Sequence, residues 1–152
     1  MNANRDRTHG NILGFDFGKK RIGVAVGQTL TASARPLTTV RARNEQPDWE
    51  AIGRLVRTWQ PTQLVVGLPI NMDGSEHELA AMVRAFADEL GKLYALPVHL
   101  IDERLSSREA QKIAVGMGGR GAAHTQTAKE TVDSIAAQVI LETWLSHHSD
   151  ER

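Results

Sequence analysis

Three acidic residues, far apart along the chain, are of a type and in positions that suit metal-dependent cleavage of phosphodiester bonds. Asp16 ends the apolar run ILGFD, Glu103 lies just after the run PVHLI, and Asp133 belongs to the amphipathic segment KETVDSIAAQVIL. Carboxylates gathered at strand ends repel one another unless cations neutralise them. Their oxygens are the ligands that Mg²⁺ and Mn²⁺ prefer, and paired ions drive phosphodiester hydrolysis. We expect these three residues to be both the catalytic groups and the ligands of two such ions.

Two further acids and two simpler explanations compete with this metal-site hypothesis. Asp102 neighbours Glu103, and adjacent residues of an extended strand point to opposite faces, so only one of the two should face the metals. We expect Glu103 to be the ligand, with Asp102 as the first alternative and Asp73, in the loop NMDGS, as a weaker one. Asp16 could instead form a salt bridge with a nearby lysine, and Asp133 could be a solvated acid near a helix N-terminus.

Basic residues flank the acids and are candidates for contact with nucleic-acid phosphates. One run comes directly after Asp16, and others follow Glu103. Lysine and arginine side chains bind phosphate oxygens and orient a protein on a nucleic acid. The simpler interpretation of such a run is a solvated turn. The predicted nucleic-acid-binding residues are Lys19, Lys20, Arg21, Arg104, Arg108, Arg120 and Lys129.

The composition is that of an ordinary globular protein with room for one domain. The chain has 152 residues, enough for one autonomous core. Its 18 basic and 18 acidic residues cancel, so nucleic-acid binding must come from a local patch. The absence of cysteine excludes disulfides, thiolate nucleophiles and cysteine-based zinc sites, and it fits a cytoplasmic protein. No stretch approaches the ~18 apolar residues of a membrane span, and the polar N-terminus lacks the apolar core of a signal peptide.

Hydrophobic periodicity predicts one domain over residues 11–147, between a disordered tail at 1–10 and a short tail at 148–152. Strands are predicted at 12–17, 22–27, 36–40, 63–68 and 97–101. Helices are predicted after Asp48, after capping boxes at Ser75–Glu78 and Ser106–Glu109, and over 129–146. The first three strands form an antiparallel meander, and the later strands alternate with helices. The fold class is therefore α/β, with a mixed five-stranded sheet flanked by helices on both faces.

The second predicted strand has large side chains on one face and small ones on the other. Gly23, Ala25 and Gly27 share the small face, which allows another part of the protein or a ligand to approach closely. Asp133 shares a helix face with Ala137, so that helix can lie close to the sheet. A short aspartate side chain on it could then reach a metal.

Several motifs, taken in order, resemble those of the YqgF family. They are DFGKKRIGVAVG, VVGLPINMDGSE, DERLSS and the acidic final helix, and together the likeness covers residues 12–145. The family comprises RuvX-like nucleases of precursor 16S rRNA, related to Holliday junction resolvases. The resemblance implies a ribonuclease H-like fold, divalent-metal nuclease activity and a role in maturing the 5′ end of 16S rRNA. Asp16, Glu103 and Asp133 match the acidic positions of the family.

One departure and three alternatives accompany this resemblance. The strand that ends in Gly67-Leu68-Pro69 carries no acid at its tip, unlike many ribonuclease H-like enzymes, which makes Glu103 the expected substitute. A Holliday junction resolvase acting on branched DNA is the alternative nuclease, and it should be a two-fold dimer. A non-catalytic binding module for rRNA or ribosome assembly is a further alternative. An ATP-binding domain of the actin type, which needs two such lobes, is the last.

Overall fold

The computed structural model describes residues 10–103 and 126–149; for 126–131 and 148–149 it describes the backbone alone. The predicted tail over residues 1–10, except its last residue, and the predicted capping box at Ser106–Glu109 lie outside these ranges. The elements that the structure describes are, in chain order, β1 (Asn11–Asp16), β2 (Arg21–Gln28), β3 (Ser33–Arg43), β4 (Gln46–Pro47), α1 (Trp49–Trp59), β5 (Gln63–Leu68), α2 (Ala80–Tyr94), β6 (Val98–Asp102) and α3 (Gln126–Ser149).

These strands form one mixed sheet, in the order β4-β3-β2-β1-β5-β6. The first four strands pair antiparallel because short turns join them. Strands β5 and β6 lie parallel to β1 because a helix crosses over before each of them. The predicted mixed α/β sheet and its five strands are confirmed, and the two-residue β4 adds a sixth at the edge. The carboxyl ends of β1, β5 and β6 therefore share one edge of the sheet.

Helices α1 and α2 cover one side of the sheet through a cluster of aromatic rings. The ring of Phe86 on α2 lies edge-on to Phe15, with centroids 5.6 Å apart, and 5.0 Å from the ring of Phe17. Trp49, the first residue of α1, stacks on the same ring at 5.5 Å. Because large side chains fill the space between sheet and helices, we call this side the aromatic face. It contains the larger part of the buried core.

Helix α3 covers the opposite side, where several strand positions carry no side chain. A Cβ atom added to Gly14 would come within 2.9 Å of Leu141 Cβ, and one added to Gly27 within 3.0 Å of Leu141 Cδ2. The ring of Trp144 stacks on His99 of β6, with centroids 5.0 Å apart. We call this side, defined by Gly14, Gly23, Gly27 and Gly67, the glycine face. Helix α3 extends beyond its predicted bounds at both ends, and no described helix is apolar enough over a sufficient length to cross a membrane.

The two helix starts predicted within the described residues have different outcomes. Asp48 caps α1 as expected, because its side chain accepts a hydrogen bond from the backbone N–H of Ala51 at 3.1 Å. The capping box predicted at Ser75–Glu78 is wrong. Ser75 donates from its backbone N–H and its Oγ to Oδ1 of Asp73, at 2.9 and 2.6 Å, so its side chain stabilises a turn. Helix α2 begins later, at Ala80, without a side-chain cap.

Candidate active site

Asp16 stands at the end of β1, on the glycine face of the sheet. Alternation along the strand puts it on the same side as Ile12 and Gly14, which pack against α3. Its cross-strand partner on β2 is Gly23. The last residue of a central strand is thus an acid whose cross-strand neighbour lacks a side chain.

Glu103 follows β6, which is separated from β1 in the sheet by β5 alone. Strand β6 pairs with β5 so that Asp102 lies opposite Leu68, and Glu103 follows immediately. The Cγ atom of Glu103 lies 2.9 Å from the position that a Cβ on Gly67 would occupy. The missing side chain near the end of β5 therefore makes room both for the glutamate and for Ile140 of α3, whose Cδ1 would be 2.6 Å from that Cβ. Ile101 packs on the glycine face, so alternation directs Asp102 to the other side.

Asp133 is brought to the same place by the docking of α3. Its backbone carbonyl oxygen would be 1.9 Å from a Cβ on Gly23, so the helix backbone lies directly on β2 at that residue. Gly23 is also the cross-strand neighbour of Asp16. The small face predicted for β2 therefore accommodates the helix that carries the third acid. Ser134, the next residue, is buried.

The electrostatics of Asp16 show that the three carboxyl groups are near neighbours. Burial raises the pKa of Asp16 well above its usual value, and the negative charge of Glu103 raises it further. A hydrogen bond with the Glu103 side chain and the charge of Asp133 act in the same direction. Asp16 as a whole residue is only half-buried, yet desolvation of its carboxyl group is the largest cause. We call Asp16, Glu103 and Asp133 the acid cluster.

Arg21 supplies a positive charge at the edge of this cluster. Its Nε donates a hydrogen bond to Oδ2 of Asp133 at 2.6 Å, across 112 residues of sequence. The arginine is the first residue of β2, two positions before Gly23 and on the same face of the strand. The side chains of Arg21 and Asp133 are 29% and 25% exposed, so the ion pair is only partly open to solvent.

The chemistry of the acid cluster fits a hard divalent cation. All three donors are carboxylates, and their mutual repulsion is the kind that a cation relieves. Among the described residues, however, no three His, Cys, Asp or Glu side chains already surround a common ion position. In the structure, the Asp16 side chain is hydrogen-bonded to Glu103, and the Asp133 carboxylate accepts a hydrogen bond from Arg21.

The remaining predicted residues divide between the hairpin, a loop and the part of the chain that is not described. Lys19 and Lys20 are exposed in the turn between β1 and β2, and Lys19 lines a shallow pocket with His77, Leu79 and Met82. Asp73 accepts the two hydrogen bonds from Ser75 in the loop after β5. Three predicted phosphate-binding residues and the side chain of a fourth lie outside the described residues: Arg104, Arg108, Arg120 and, for its side chain, Lys129.

Sequence reasoning missed the roles of Gly67 and Arg21 in building the site. Gly67 was noted for the absence of an acid at the tip of its strand, whereas the structure shows that it makes room for Glu103. Arg21 stays a predicted phosphate contact, and its Nε also donates a hydrogen bond to Asp133, a pairing that the sequence did not indicate. A glycine at a strand tip followed by a second strand ending in an acid is the signal that could have indicated the first role.

Comparison with known proteins supplies the family. A family model described as RuvX, Holliday junction resolvase, matches residues 10–147. The chain belongs to the RuvX family. A curated relative from Legionella pneumophila strain Lens, named "Putative pre-16S rRNA nuclease", is 52% identical to this RuvX chain over 136 residues, covering 90% of the chain and 95% of the relative. A relative of the same name from Cronobacter sakazakii is 48% identical over 139 residues and covers 91% and 98%.

Solved structures show the same fold as this RuvX chain at low sequence identity. RuvC from T. thermophilus, in complex with a Holliday junction substrate, has a TM-score of 0.56 and 21% identity, covering 91% of this chain and 95% of its own. The fowlpox virus resolvase in complex with junction DNA has a TM-score of 0.55 and 10% identity, covering 91% and 98%. The predicted ribonuclease H-like fold is confirmed. Family membership makes the RuvX chain a nuclease, a hydrolase of phosphodiester bonds, and nucleases of this fold use divalent metal ions.

Proposed function

We propose that this protein is an endonuclease that processes the 5′ end of precursor 16S rRNA in the bacterial cytoplasm, during ribosome biogenesis. The observation that supports the proposal most is the approach of Glu103 and Asp133 to the end of β1, through the contacts at Gly67 and Gly23, and burial and these two acids raise the pKa of Asp16 there. Carboxyl groups crowded in this way destabilise a fold that has no cation to bind. The names of the relatives at 52% and 48% identity support the choice of RNA.

The acid cluster is the proposed site for two ions, Mg²⁺ or Mn²⁺. Asp16, Glu103 and Asp133 would together hold these ions. Bound divalent ions supply the Lewis acidity that generates a hydroxide nucleophile from water and stabilises the leaving oxygen. No side chain then has to act as the nucleophile. The side chains keep the scissile phosphate at the edge of the sheet, and the expected products carry 5′-phosphate and 3′-hydroxyl ends.

Basic residues around the cluster are the proposed contacts to the nucleic-acid backbone. Lys19 and Lys20 are exposed in the turn that follows Asp16 and can contact backbone phosphates. The other proposed contacts are Arg21, Arg104, Arg108, Arg120 and Lys129. Since the net charge of the chain is zero, binding depends on this local patch, and it should weaken steeply with added salt.

Resolution of four-way DNA junctions is the second candidate function. The description of the family and the junction complexes of structurally similar proteins favour it. A resolvase makes paired cuts on two strands, so it should act as a two-fold dimer. Processing of a single RNA end requires only one active site, and a monomer suffices. We therefore expect a homodimer if the substrate is a DNA junction, and a monomer is sufficient if the substrate is precursor rRNA.

The deciding experiment presents both substrates to matched variants. Wild type, Asp16→Asn and the control Asp88→Asn, which changes an exposed acid on α2, are incubated with precursor 16S rRNA or a four-way DNA junction, and with Mg²⁺ or Mn²⁺. We expect wild type and Asp88→Asn to cut the RNA near its 5′ end. Asp16→Asn should be slower by about a thousandfold, since several kcal/mol of metal-dependent stabilisation are lost.

Three other outcomes would contradict the proposal. Equal cutting by wild type and Asp16→Asn would mean a contaminating nuclease or a different site. Paired cuts in the junction, with the RNA left intact, would favour the resolvase. RNA binding without cleavage and without Mn²⁺ binding would favour a non-catalytic module of ribosome assembly.

A further inference from the structure

The ion pair between Arg21 and Asp133 has features that a simple surface salt bridge lacks. It joins the first residue of β2 to α3 across 112 residues, and both side chains are largely shielded from solvent. Arg84 and Glu76 form a more exposed ion pair on the other side of the sheet, with side chains 48% and 47% exposed. Exposed pairs of that kind contribute little to stability or geometry. The pair at the acid cluster is therefore the one in a position to orient a functional group.

Asp133 is held at two points, one on its backbone and one on its side chain. The backbone carbonyl lies against Gly23, where a Cβ would be only 1.9 Å away. The carboxylate is held through Oδ2 by Nε of Arg21, from the same strand face. Its other oxygen, Oδ1, has no hydrogen-bond partner among the described residues. One carboxylate oxygen is thus restrained while the other is available to a further partner.

We propose that Arg21 is a positioning residue, which holds the Asp133 carboxylate beside Asp16 so that the acid cluster can bind a divalent ion. This inference rests on the proposed function. Carboxylates that ligate metals are commonly hydrogen-bonded through their remaining oxygen, and removal of such a partner typically lowers metal affinity by about 10–100-fold. The guanidinium also offsets the repulsion between Asp133 and the other two acids, which permits α3 to dock on the glycine face.

The test measures Mn²⁺ binding by isothermal titration, without nucleic acid, so that phosphate contacts do not contribute. We expect Arg21→Gln to weaken binding by about tenfold or more, and Arg21→Lys to lie between Gln and wild type because the charge remains without the Nε geometry. Arg84→Gln removes an arginine from the exposed ion pair and should bind Mn²⁺ like wild type. In an Asp133→Asn background, Arg21→Gln should cause no further loss, since the group that it positions is already changed.

The outcomes separate this inference from the proposed function. Suppose that wild type binds Mn²⁺ and Asp16→Asn does not. If Arg21→Gln then binds Mn²⁺ at least as tightly as wild type, Arg21 does not help to position Asp133, and only this inference is overturned. If wild type itself does not bind, both are overturned. An equal loss from Arg21→Gln with and without Asp133→Asn would mean a general structural effect and would also overturn the positioning role. Should Arg21→Gln not fold, Arg21→Lys in both backgrounds decides the same question.

Discussion

On the aromatic face, large rings fill the space between the sheet and α1 and α2, whereas on the glycine face α3 lies directly against strand backbones. Phe86 touches three other rings on the first side. On the second side, the backbone of α3 at Asp133 occupies the space that a side chain on Gly23 would need. Large side chains fill the aromatic face, whereas the absence of side chains lets α3 approach the strands on the glycine face.

We infer that the aromatic face mainly determines the stability of the fold, and that the glycine face mainly determines the position of α3 and its acid. Buried aromatic volume contributes free energy through the large apolar area that it removes from water. Close backbone contact contributes less burial but determines where a helix, and the acid that it carries, must lie. We therefore expect changes on the aromatic face to lower stability, and changes on the glycine face to impair metal binding and cleavage.

The sharpest contrast is between two adjacent acids. Glu103→Gln should reduce cleavage by about a thousandfold, because it removes a ligand beside Asp16 on the glycine face. Asp102→Asn should reduce it by no more than a few-fold, because alternation directs that side chain to the other side of the sheet. Single-turnover cleavage of precursor rRNA measures both. Equal losses of cleavage would show that strand alternation has already ended at Asp102, so that both acids reach the site.

Truncation on the aromatic face should have a large effect of the opposite kind. Phe86→Ala removes a buried ring that contacts Phe15, Phe17 and Trp49, so it should lower the free energy of unfolding by about 3–5 kcal/mol. Cleavage per folded molecule should be unchanged at low temperature. Urea unfolding measures the first quantity, and Leu93→Ala, at a residue that is 49% exposed, is the control with little expected effect. Loss of cleavage by fully folded Phe86→Ala would contradict the contrast.

A single methyl group on the glycine face should be costly. Gly23→Ala would put a Cβ within 1.9 Å of the Asp133 carbonyl oxygen, so α3 must shift, at about 1–3 kcal/mol of stability. Metal affinity should fall as well, because Asp133 moves with the helix. The matched control is Gly91→Ala in α2, where the nearest atom is at an ordinary 3.6 Å and the change should stabilise by ~1 kcal/mol. Unchanged Mn²⁺ binding by Gly23→Ala would break the link between this contact and the site.

The smallest expected effect is a dependence of stability on pH in the metal-free protein. The pKa of Asp16 is raised by burial and by its acidic neighbours. The folded protein therefore keeps this proton where the unfolded chain, with a value near 3.8, has lost it. That stabilisation is complete below the unfolded value and is lost as pH rises through the folded one.

In EDTA, we therefore expect wild type to lose stability relative to Asp16→Asn as pH rises above the unfolded value of 3.8 and through the raised pKa of the folded protein. The difference should be about 1 kcal/mol or more, the order expected for a partly buried charge without a counterion. Urea unfolding at a series of pH values measures it. A difference between the two proteins that stays constant with pH would show that the cluster is not crowded in the folded state.

Much of the fold follows from local patterns in the sequence. Strand β2 was predictable because large and small residues alternate, and α1 because Asp48 precedes an apolar stripe with helical spacing. The start of α2 was not, because Ser75 has two possible partners. The sequence pairs it with Glu78 in a capping box, whereas in the folded loop it bonds to Asp73. Local competition of this kind cannot be resolved from spacing alone.

The site was predictable in its members but not in its internal pairings. Acids at strand ends stand out because they interrupt apolar runs, and adjacent residues on opposite faces favour one of Asp102 and Glu103. Which basic side chain pairs with which acid depends on how α3 packs on the sheet. No local pattern in the sequence relates Arg21 to Asp133, which are 112 residues apart. The role of Gly67 could not be predicted either, because the space beside it is filled by Glu103 only when β6 pairs with β5.

The stacking of Trp144 on His99 gives the molecule an optical reporter of its own. An imidazole ring against an indole changes its fluorescence, and this pair joins the later part of α3 to strand β6. Detachment of the helix would separate the rings even while the opposite side of the sheet stays packed. With Trp49 and Trp59 replaced by phenylalanine, the emission of Trp144 alone would time the arrival of this helix during refolding.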